Sequence, residues 1–483
     1  MLLETAASEA LLLEGRAHLL HLRLGAAERT LRRLASRPDG APAAYFHLAY
    51  AAFLKALITE EPHDLDAFFG RSDTLNTLLD AAPSTPWAMH LRAEDHLHRA
   101  LAWAKDERYV RAALAGRSAY RHFERVVAAA PGFDEAYLGV GLFHVLIGSL
   151  PSSQRKLLRV LGYEGSVRRG MAELRRAAAR SRLQRDEATL YLGLTDVLLN
   201  GSKGGGVEQL AGLHAAYPAS PLFSYLYGYA LLVNRRADAA APLLEDAVQA
   251  GTQAEHFFID YAVFYLAQCR FRQGQYAEAE AGYRWYLRRH RGAALKAVAA
   301  LELGLALEMQ GRRTDALAHY RAVESARVFD SDVAARRKAR RLLAAPLDPF
   351  ERALLRAANA YDAGHYAEAG RLLDDVLARA EAGSPVHTEA LYRRGRLIHA
   401  EGRHQAALEA YAAVLRAPRP DATARWAPWS QFYIGEIHRE QGDEARAAEA
   451  YRAALAFRGD YDYHQSLEQQ ARVALGQLAP AGK

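Results

Sequence analysis

The 483 residues exceed the length over which one hydrophobic core keeps growing, so several domains or an elongated array are expected. Apolar residues make up 51% and charged residues 24%, enough to bury a core, which excludes wholesale disorder. The net charge is a modest +6, and no continuous apolar run approaches the ~20 residues of a membrane span. Fifty-five arginines against 7 lysines, with the alanine richness, match a GC-rich bacterial composition and say little about partners. A single cysteine, Cys269, excludes an internal disulfide and a cysteine-based metal site.

The N-terminal stretch "MLLETAASEALLLEGRAHLL" has Glu4 and Glu9 and no basic residue before Arg16, unlike a secretory signal. A cytoplasmic location is expected, the alternative being an exported chain whose signal is absent here. "EGRAHLLHLRLGAAERTLRRLASRP" sets Gly15, Ala27, Leu31 and Pro38 at a spacing that recurs later. Residues 41–118 are helical by their 3.6-residue apolar period, but the pairing of those helices is not readable. "EEPHDLD" (60–66) reads as a solvated loop. In "AEDHLHRA" (93–100), His96 and His98 point about 200° apart on a helix and do not share a metal. "EAYLGVGLF" (135–143) and "EATLYLGLTDVLL" (187–199) each read as the first helix of a pair.

Between those two lies a glycine-rich segment, 148–170. Gly148 can stop the helix before it, Pro151 suits a first helical turn, and Gly162 ends a short helix carrying Leu157, Leu158 and Leu161. Gly165 permits a tight turn and Ser166 is an N-cap. The expectation is an inserted short helix and sharp turn, with glycines where backbones approach closely. "NGSKGGG" (200–206) holds Lys203 among glycines, in the wrong order for a phosphate loop and without a preceding strand, and reads as a flexible loop.

From about residue 220 one template repeats: a small residue, a glycine seven positions on, an alanine five further, then an aromatic or leucine four further. It runs Ala267, Gly274, Ala279, Tyr283; then Gly304, Gly311, Ala316, Tyr320; then Ala357, Gly364, Ala369, Leu373. Gly395, Gly402, Ala407, Tyr411 and Gly435, Gly442, Ala447, Tyr451 complete it, with a weaker copy at Gly228, Ala240 and Leu244. The pattern resembles the tetratricopeptide repeat. The physics predicts antiparallel helix pairs crossing at small residues, a left-handed glycine at each turn, and the aromatic beneath the next repeat. A lone pair cannot bury its apolar face, so copies stack. The fold class expected is all-α, an α-solenoid of stacked antiparallel helix hairpins in a superhelix. The turn glycines lie 37, 53, 38 and 40 residues apart, so the helices exceed the ~34-residue standard unit. The long gap contains Pro346 and Pro349 and reads as a joint. The expected organisation is 1–217, degenerate hairpins with the inserted segment; 218–345, a first repeat block; and 346–480, a second.

The segment from 141 to 170 is similar to a narrower family, tetratricopeptide repeat domain 39 with its yeast inclusion-body clearance relative. Gly141, Phe143, Leu150, Pro151, Lys156, Leu157, Leu158, Gly162, Tyr163, Gly165 and Gly170 carry the resemblance. His144, where the family tends to have Asn, and Ser166 depart from it. The resemblance implies an adaptor or scaffold rather than a catalyst.

No catalytic, cofactor-binding or metal motif emerges. "DYDYHQ" (460–465), with Asp460, Asp462 and His464, reads as a solvated loop, and Cys269 as a core thiol. The basic runs 284–291 and 335–341 fit a solvated convex face, with cations near helix C-termini, better than a nucleic-acid surface. In the resembled repeat the first helix of each pair lines a concave groove. That places Tyr225, Tyr229, Tyr261, Phe264, Gln268, Arg272, Leu301, Leu305, Tyr361, Tyr392, Arg396, His399, Trp429, Phe432 and Arg439 there. Aromatic and arginine anchors suit peptide capture. The Lys and Asn clamp that holds a terminal carboxylate in chaperone-binding members is absent from the equivalent positions. The expected function is a non-enzymatic scaffold binding a protein or peptide partner of unknown identity. The alternative is a peripheral membrane adaptor using the basic amphipathic helix near Leu157.

Overall fold

A computed structural model of the chain describes residues 3, 5–150, 158–159, 162, 164–200, 205–253, 258–323, 330–418 and 424–478. All regular structure among them is helical, and the chain forms an α-solenoid of paired helices. Of the glycine-rich segment, Pro151, Lys156, Leu157, Leu161 and Tyr163 fall outside the described residues, as do residues 201–204 with Lys203.

The helices divide between two compact units. Unit 1 comprises Met1–Tyr227, Asp246–Ile259 and His290–Gly292. It holds five successive pairs: α1 (Ala6–Leu20) with α2 (Leu24–Ala35), α3 (Ala41–Thr59) with α4 (Pro62–Ala81), and α5 (Pro86–Lys105) with α6 (Tyr109–Ala129). The last two are α7 (Ala136–Ser149) with α8 (Val167–Arg180), and α9 (Arg185–Asn200) with α10 (Gly206–Ala216). The pairing in 41–118 is thus α3 on α4 and α5 on α6. By length and composition α3 is apolar enough to cross a membrane, with a mean hydropathy of 1.3, but over half of it is buried inside the protein. Phe46 and Phe53 anchor it against Phe68, Leu75 and Leu91.

Helices α11 (Pro221–Val233) and α12 (Ala237–Gln253) run across the division. Unit 2 comprises Gly228–Glu245, Asp260–Arg289 and Ala293–Lys483. It continues with α13 (Ile259–Arg272), α14 (Tyr276–Arg289), α15 (Lys296–Met309), α16 (Arg313–Ala322), α17 (Asp330–Ala344), α18 (Pro349–Ala363) and α19 (Tyr366–Arg379). The end of the unit is α20 (Pro385–Ala400), α21 (His404–Arg416), α22 (Trp426–Glu440), α23 (Glu444–Ala456) and α24 (His464–Leu478). The pairs α15/α16, α18/α19, α20/α21 and α22/α23 are hairpins, and α17 packs on both α15 and α16. The segment around Pro346 and Pro349 lies within unit 2. Leu347 N–H donates to buried Glu308 across 2.7 Å, and Asp348 caps α18 with a capping box closed by Glu351.

The turns explain why the template repeats. Gly274, Gly311, Gly364, Gly402 and Gly442 all have φ between 75° and 93°, the left-handed conformation in which a Cβ is unfavourable. After each, the next N–H reaches back five residues: Gln275 to Arg270, Arg312 to Leu307, His365 to Ala360, Arg403 to Ile398 and Asp443 to His438, at 2.8–3.2 Å. This satisfies carbonyls that a helix end leaves unpaired. The degenerate copies build the same turn without glycine. Leu22, Glu107 and Arg235 sit at φ 53°, 59° and 60°, each followed by the same backbone bond.

The aromatic of the template acts within its own hairpin, where sequence reasoning placed it beneath the next. A Cβ added at Gly395 would stand 2.8 Å from the Tyr411 ring, and one at Gly435 2.7 Å from Tyr451; Gly304 is closed by Tyr320 in the same way. The ring thus fills the volume that the small residue vacates. The degenerate copies use leucine: Leu31 on Gly15 and Leu244 on Gly228.

The glycines of the 141–170 segment have a different task. A Cβ at Gly170 would sit 2.5 Å from the Gly141 carbonyl oxygen, and one at Gly148 2.6 Å from the Val167 nitrogen. Gly165 is closed by the backbone of Gly148 and by Ile147. α7 and α8 therefore touch backbone to backbone. Gly193 and Gly206 repeat the contact between α9 and α10, with Gly206 N–H on the Asp196 carboxylate at 2.8 Å. Ser166 caps α8 as expected, accepting from Arg169 N–H.

Candidate partner-binding face

In unit 1 the first helices turn polar side chains toward one another. Arg16 of α1 bonds His47 of α3 (2.8 Å), the Leu183 carbonyl (2.9 Å) and Glu187 of α9. The Tyr50 and Tyr191 hydroxyls meet at 2.9 Å, and Glu94 of α5 bonds Gln184. His98 stacks on Phe53, Tyr50 and Phe46. Burial pushes His47, His90 and His98 down to about 3, and pushes Glu94 up to about 8. The histidines are therefore neutral and Glu94 is protonated near neutral pH. This interior cluster was not legible in the sequence. Arg16, His47, Tyr50, Glu187 and Tyr191 answer one another, while His90 Nδ1, Glu94 Oε1 and Gln184 Oε1 are buried without a hydrogen-bond partner among the described residues.

The first helices of unit 2 carry a second set of polar and aromatic side chains. Gln268 of α13 bonds Glu302 of α15 at 3.0 and 3.1 Å, and the Tyr283 hydroxyl donates to the same carboxylate at 2.5 Å. Burial raises the Glu302 carboxyl against the opposing pull of Arg272, which pairs with Asp362 of α18 at 3.0 Å. Farther along, arginines and rings alternate. Arg235 lies 4.9 Å from the Tyr361 centroid, and Arg396 lies 5.7 Å from Tyr361 and 4.0 Å from Tyr433. Arg425 lies 4.6 Å from Tyr463 and 5.3 Å from Trp426. Arg396, half-buried, contacts no carboxylate among the described residues; its side-chain bond is to the Tyr392 hydroxyl at 3.3 Å.

The residues singled out from sequence distribute unevenly. Tyr229, Gln268, Arg272, Tyr361 and Arg396 are half-buried in unit 2, with Tyr229 against Tyr265 and Tyr261 against Tyr286. His399 pairs with Glu440 and Arg439 with Glu436. Tyr225 is in unit 1, stacked on Phe258. Phe264, Leu305, Tyr392, Trp429 and Phe432 are buried in hydrophobic clusters. Those apolar side chains seal the seams between helices. Tyr265 and Tyr433, one place after Phe264 and Phe432, are half-buried instead, and Leu301 and Glu302 are both half-buried. The signal that finds them is a rotation of the helical wheel by one residue, about 100°.

The basic run 335–341 is not a solvated face. Ala335, Ala339 and Leu342 are buried, while Arg337 bonds Asp462 (2.9 Å) and pairs with Asp460. Lys338 and Arg341 pair with Glu351. In 284–291, Arg284 pairs with Glu280 and Arg289 with Asp260, so much of that charge is also balanced. Asp64 of "EEPHDLD" accepts from Lys55 and Thr59 at 2.8 Å each. His96 stacks on His122, away from His98. Among the described residues no group of His, Cys, Asp and Glu is placed to hold a metal. Cys269 is buried, its thiol pushed up to about 12 by that burial. The basic helix near Leu157, on which the membrane alternative rests, lies largely outside the described residues.

Helix pairs with left-handed turns, rings on small residues and an arginine–aromatic face define a helical-repeat interaction protein. The comparisons agree: residues 262–328 and 354–423 match the tetratricopeptide repeat, and residues 135–284 match Iml2/Tetratricopeptide repeat protein 39. The chain is a tetratricopeptide-repeat protein with an Iml2/Tetratricopeptide repeat protein 39-like segment. No curated protein matches it. Among solved structures it is similar to yeast Tom70, at 11% identity and TM-score 0.32, over 92% of this chain and 98% of that one. It is also similar to a Rap protein complexed with competence and sporulation factor, at 12% identity and TM-score 0.34, over 96% and 99%.

Proposed function

We propose that the protein is a non-enzymatic scaffold whose unit 2 holds an acidic, ring-bearing peptide segment of a partner along its first-helix face. The repeat class supports the coarser reading, a protein-interaction scaffold. The finer one rests on Arg396, a half-buried guanidinium set between Tyr361 and Tyr433 with no carboxylate in contact among the described residues. A desolvated arginine between rings favours a carboxylate and tolerates an aromatic neighbour, the composition of an interface hot spot. The test is affinity capture on the immobilised chain, with partners identified by mass spectrometry and their acidic segments titrated as synthetic peptides. Tyr361→Ala with Arg396→Ala is expected to weaken binding by at least about tenfold. Unchanged affinity removes the face from consideration. Recovery of the chain with acidic liposomes in flotation, undiminished by that double substitution, favours the membrane reading instead.

A further inference from the structure

A pocket of about 580 Å³ lies wholly within unit 2. α17 supplies Arg337, Lys338 and Arg341 to one wall, and the opening turns of α20 and α22 supply Pro385, Val386, Thr388, Trp426 and Ala427 to another. Phe457, Arg458 and Tyr461 close it from the segment after α23. Its volume falls in the range of small-molecule sites, and its walls mix apolar with charged side chains.

Among the described residues that line the pocket, the cations outnumber the carboxylates. Of the carboxylates, Glu351 answers Lys338 and Arg341, Asp462 answers Arg337, and Glu389 is taken by Arg393 at 2.6 Å. Arg425, stacked on Trp426 and Tyr463, and exposed Arg458 contact no carboxylate among the described residues. The helices α20 and α22 both begin on the pocket, presenting the positive ends of their dipoles. An independent observation points to a ligand. Thr388 is 8% exposed, lines the pocket, and its hydroxyl has no hydrogen-bond partner. A buried hydroxyl without a partner costs free energy that a bound acceptor would recover.

We propose that this pocket binds a small molecule carrying one anionic group on an apolar ring body. The rings of Trp426 and Tyr461 take the body, and Arg425, Arg458 and the Thr388 hydroxyl take the anion. The pocket adjoins the far end of the face proposed above, sharing Arg425 and Trp426 with it, and neither Tyr361 nor Arg396 lines it.

Calorimetric titration of the full chain with 1-anilinonaphthalene-8-sulfonate, two ring systems bearing one sulfonate, tests this. One saturable site is expected, weakened about fivefold or more by Arg458→Ser and by Thr388→Val. N-phenyl-1-naphthylamine, which lacks the sulfonate, is expected to bind at least about tenfold more weakly. Tyr361→Ala with Arg396→Ala should leave dye binding unchanged, which separates this site from the peptide face. Equal binding of the uncharged analogue, or dye binding indifferent to Arg458→Ser, overturns the proposal. Arg458 is exposed, so that variant remains decisive if Thr388→Val fails to fold.

Discussion

Gly170 of α8 rests on the carbonyl oxygen of Gly141 in α7, so close that a Cβ there would stand 2.5 Å from it. The neighbouring atom is backbone and cannot swing aside. Gly170→Ala is therefore expected to destabilise unit 1 by about 2–3 kcal/mol, the cost of overpacking a tight crossing. Gly132, with open space around it, provides the control: Gly132→Ala should change little. Urea midpoints at constant slope read the difference.

At the turns the expectation reverses sign with residue type. Exposed Glu107 and half-buried Arg235 adopt left-handed backbone at a steric cost that glycine does not bear. Glu107→Gly should raise stability by up to about 1 kcal/mol, less the entropy that glycine adds to the unfolded chain, and Arg235→Gly by less, because it also loses the contact of Arg235 with the Tyr361 ring. Gly402 has φ 75° and nothing near its missing Cβ, so Gly402→Ala isolates the backbone effect and should cost about 1 kcal/mol. Thermal midpoints of the three variants would show one sign at the first two positions and the opposite sign at the third.

The interior cluster of unit 1 predicts a stability maximum in pH. Below about 6.5 the unfolded chain gains protons that folded His47, His90 and His98, held near 3, refuse, so stability falls with acid. Between 4.5 and 8, folded Glu94 keeps a proton that the unfolded chain has lost, so its contribution declines as pH rises and levels off above 8. Raised Glu187 acts in the same direction. Three histidines outweigh the carboxyls below 6.5, which places the maximum near neutrality. One proton corresponds to a slope of about 1.4 kcal/mol per pH unit. Glu94→Gln should flatten the decline between pH 6.5 and 8; a melting profile that falls as steeply in the variant contradicts the assignment.

Cys269 offers a simple check on the core of unit 2. Buried, with its thiol pushed up to about 12, it should not react with a disulfide reagent at pH 8 until the chain is unfolded in urea. Rapid labelling of the native protein would mean that α13 is not packed as described.

Much of this architecture is readable from local chemistry. Gly274, Gly311, Gly364, Gly402 and Gly442 mark turns because only a left-handed residue closes them, and those positions are visible in any repeat-by-repeat alignment of the chain with itself. Where Leu22, Glu107 and Arg235 take the same conformation, the mark disappears although the turn persists, which is why pairing over 41–118 stays hidden. The candidate face is readable to within one residue. Apolar Phe264 and Phe432 look like groove anchors, yet their greatest gain comes from sealing neighbouring helices, and Tyr265 and Tyr433 border the face instead. The polar interior of unit 1 is illegible because its members are far apart in the chain: Arg16 and Glu187 are joined only by the fold.

That last bond changes how the first unit should be thought of. A linear repeat array can be shortened from its end, each removed module costing roughly its own share. Here the opening helix is fastened to the ninth, so trimming it would strand His47, Glu187 and the Leu183 carbonyl at once, deep inside the protein. Five hairpins that look interchangeable along the chain are expected to unfold as a single cooperative object, with α1 as its keystone rather than its fraying edge.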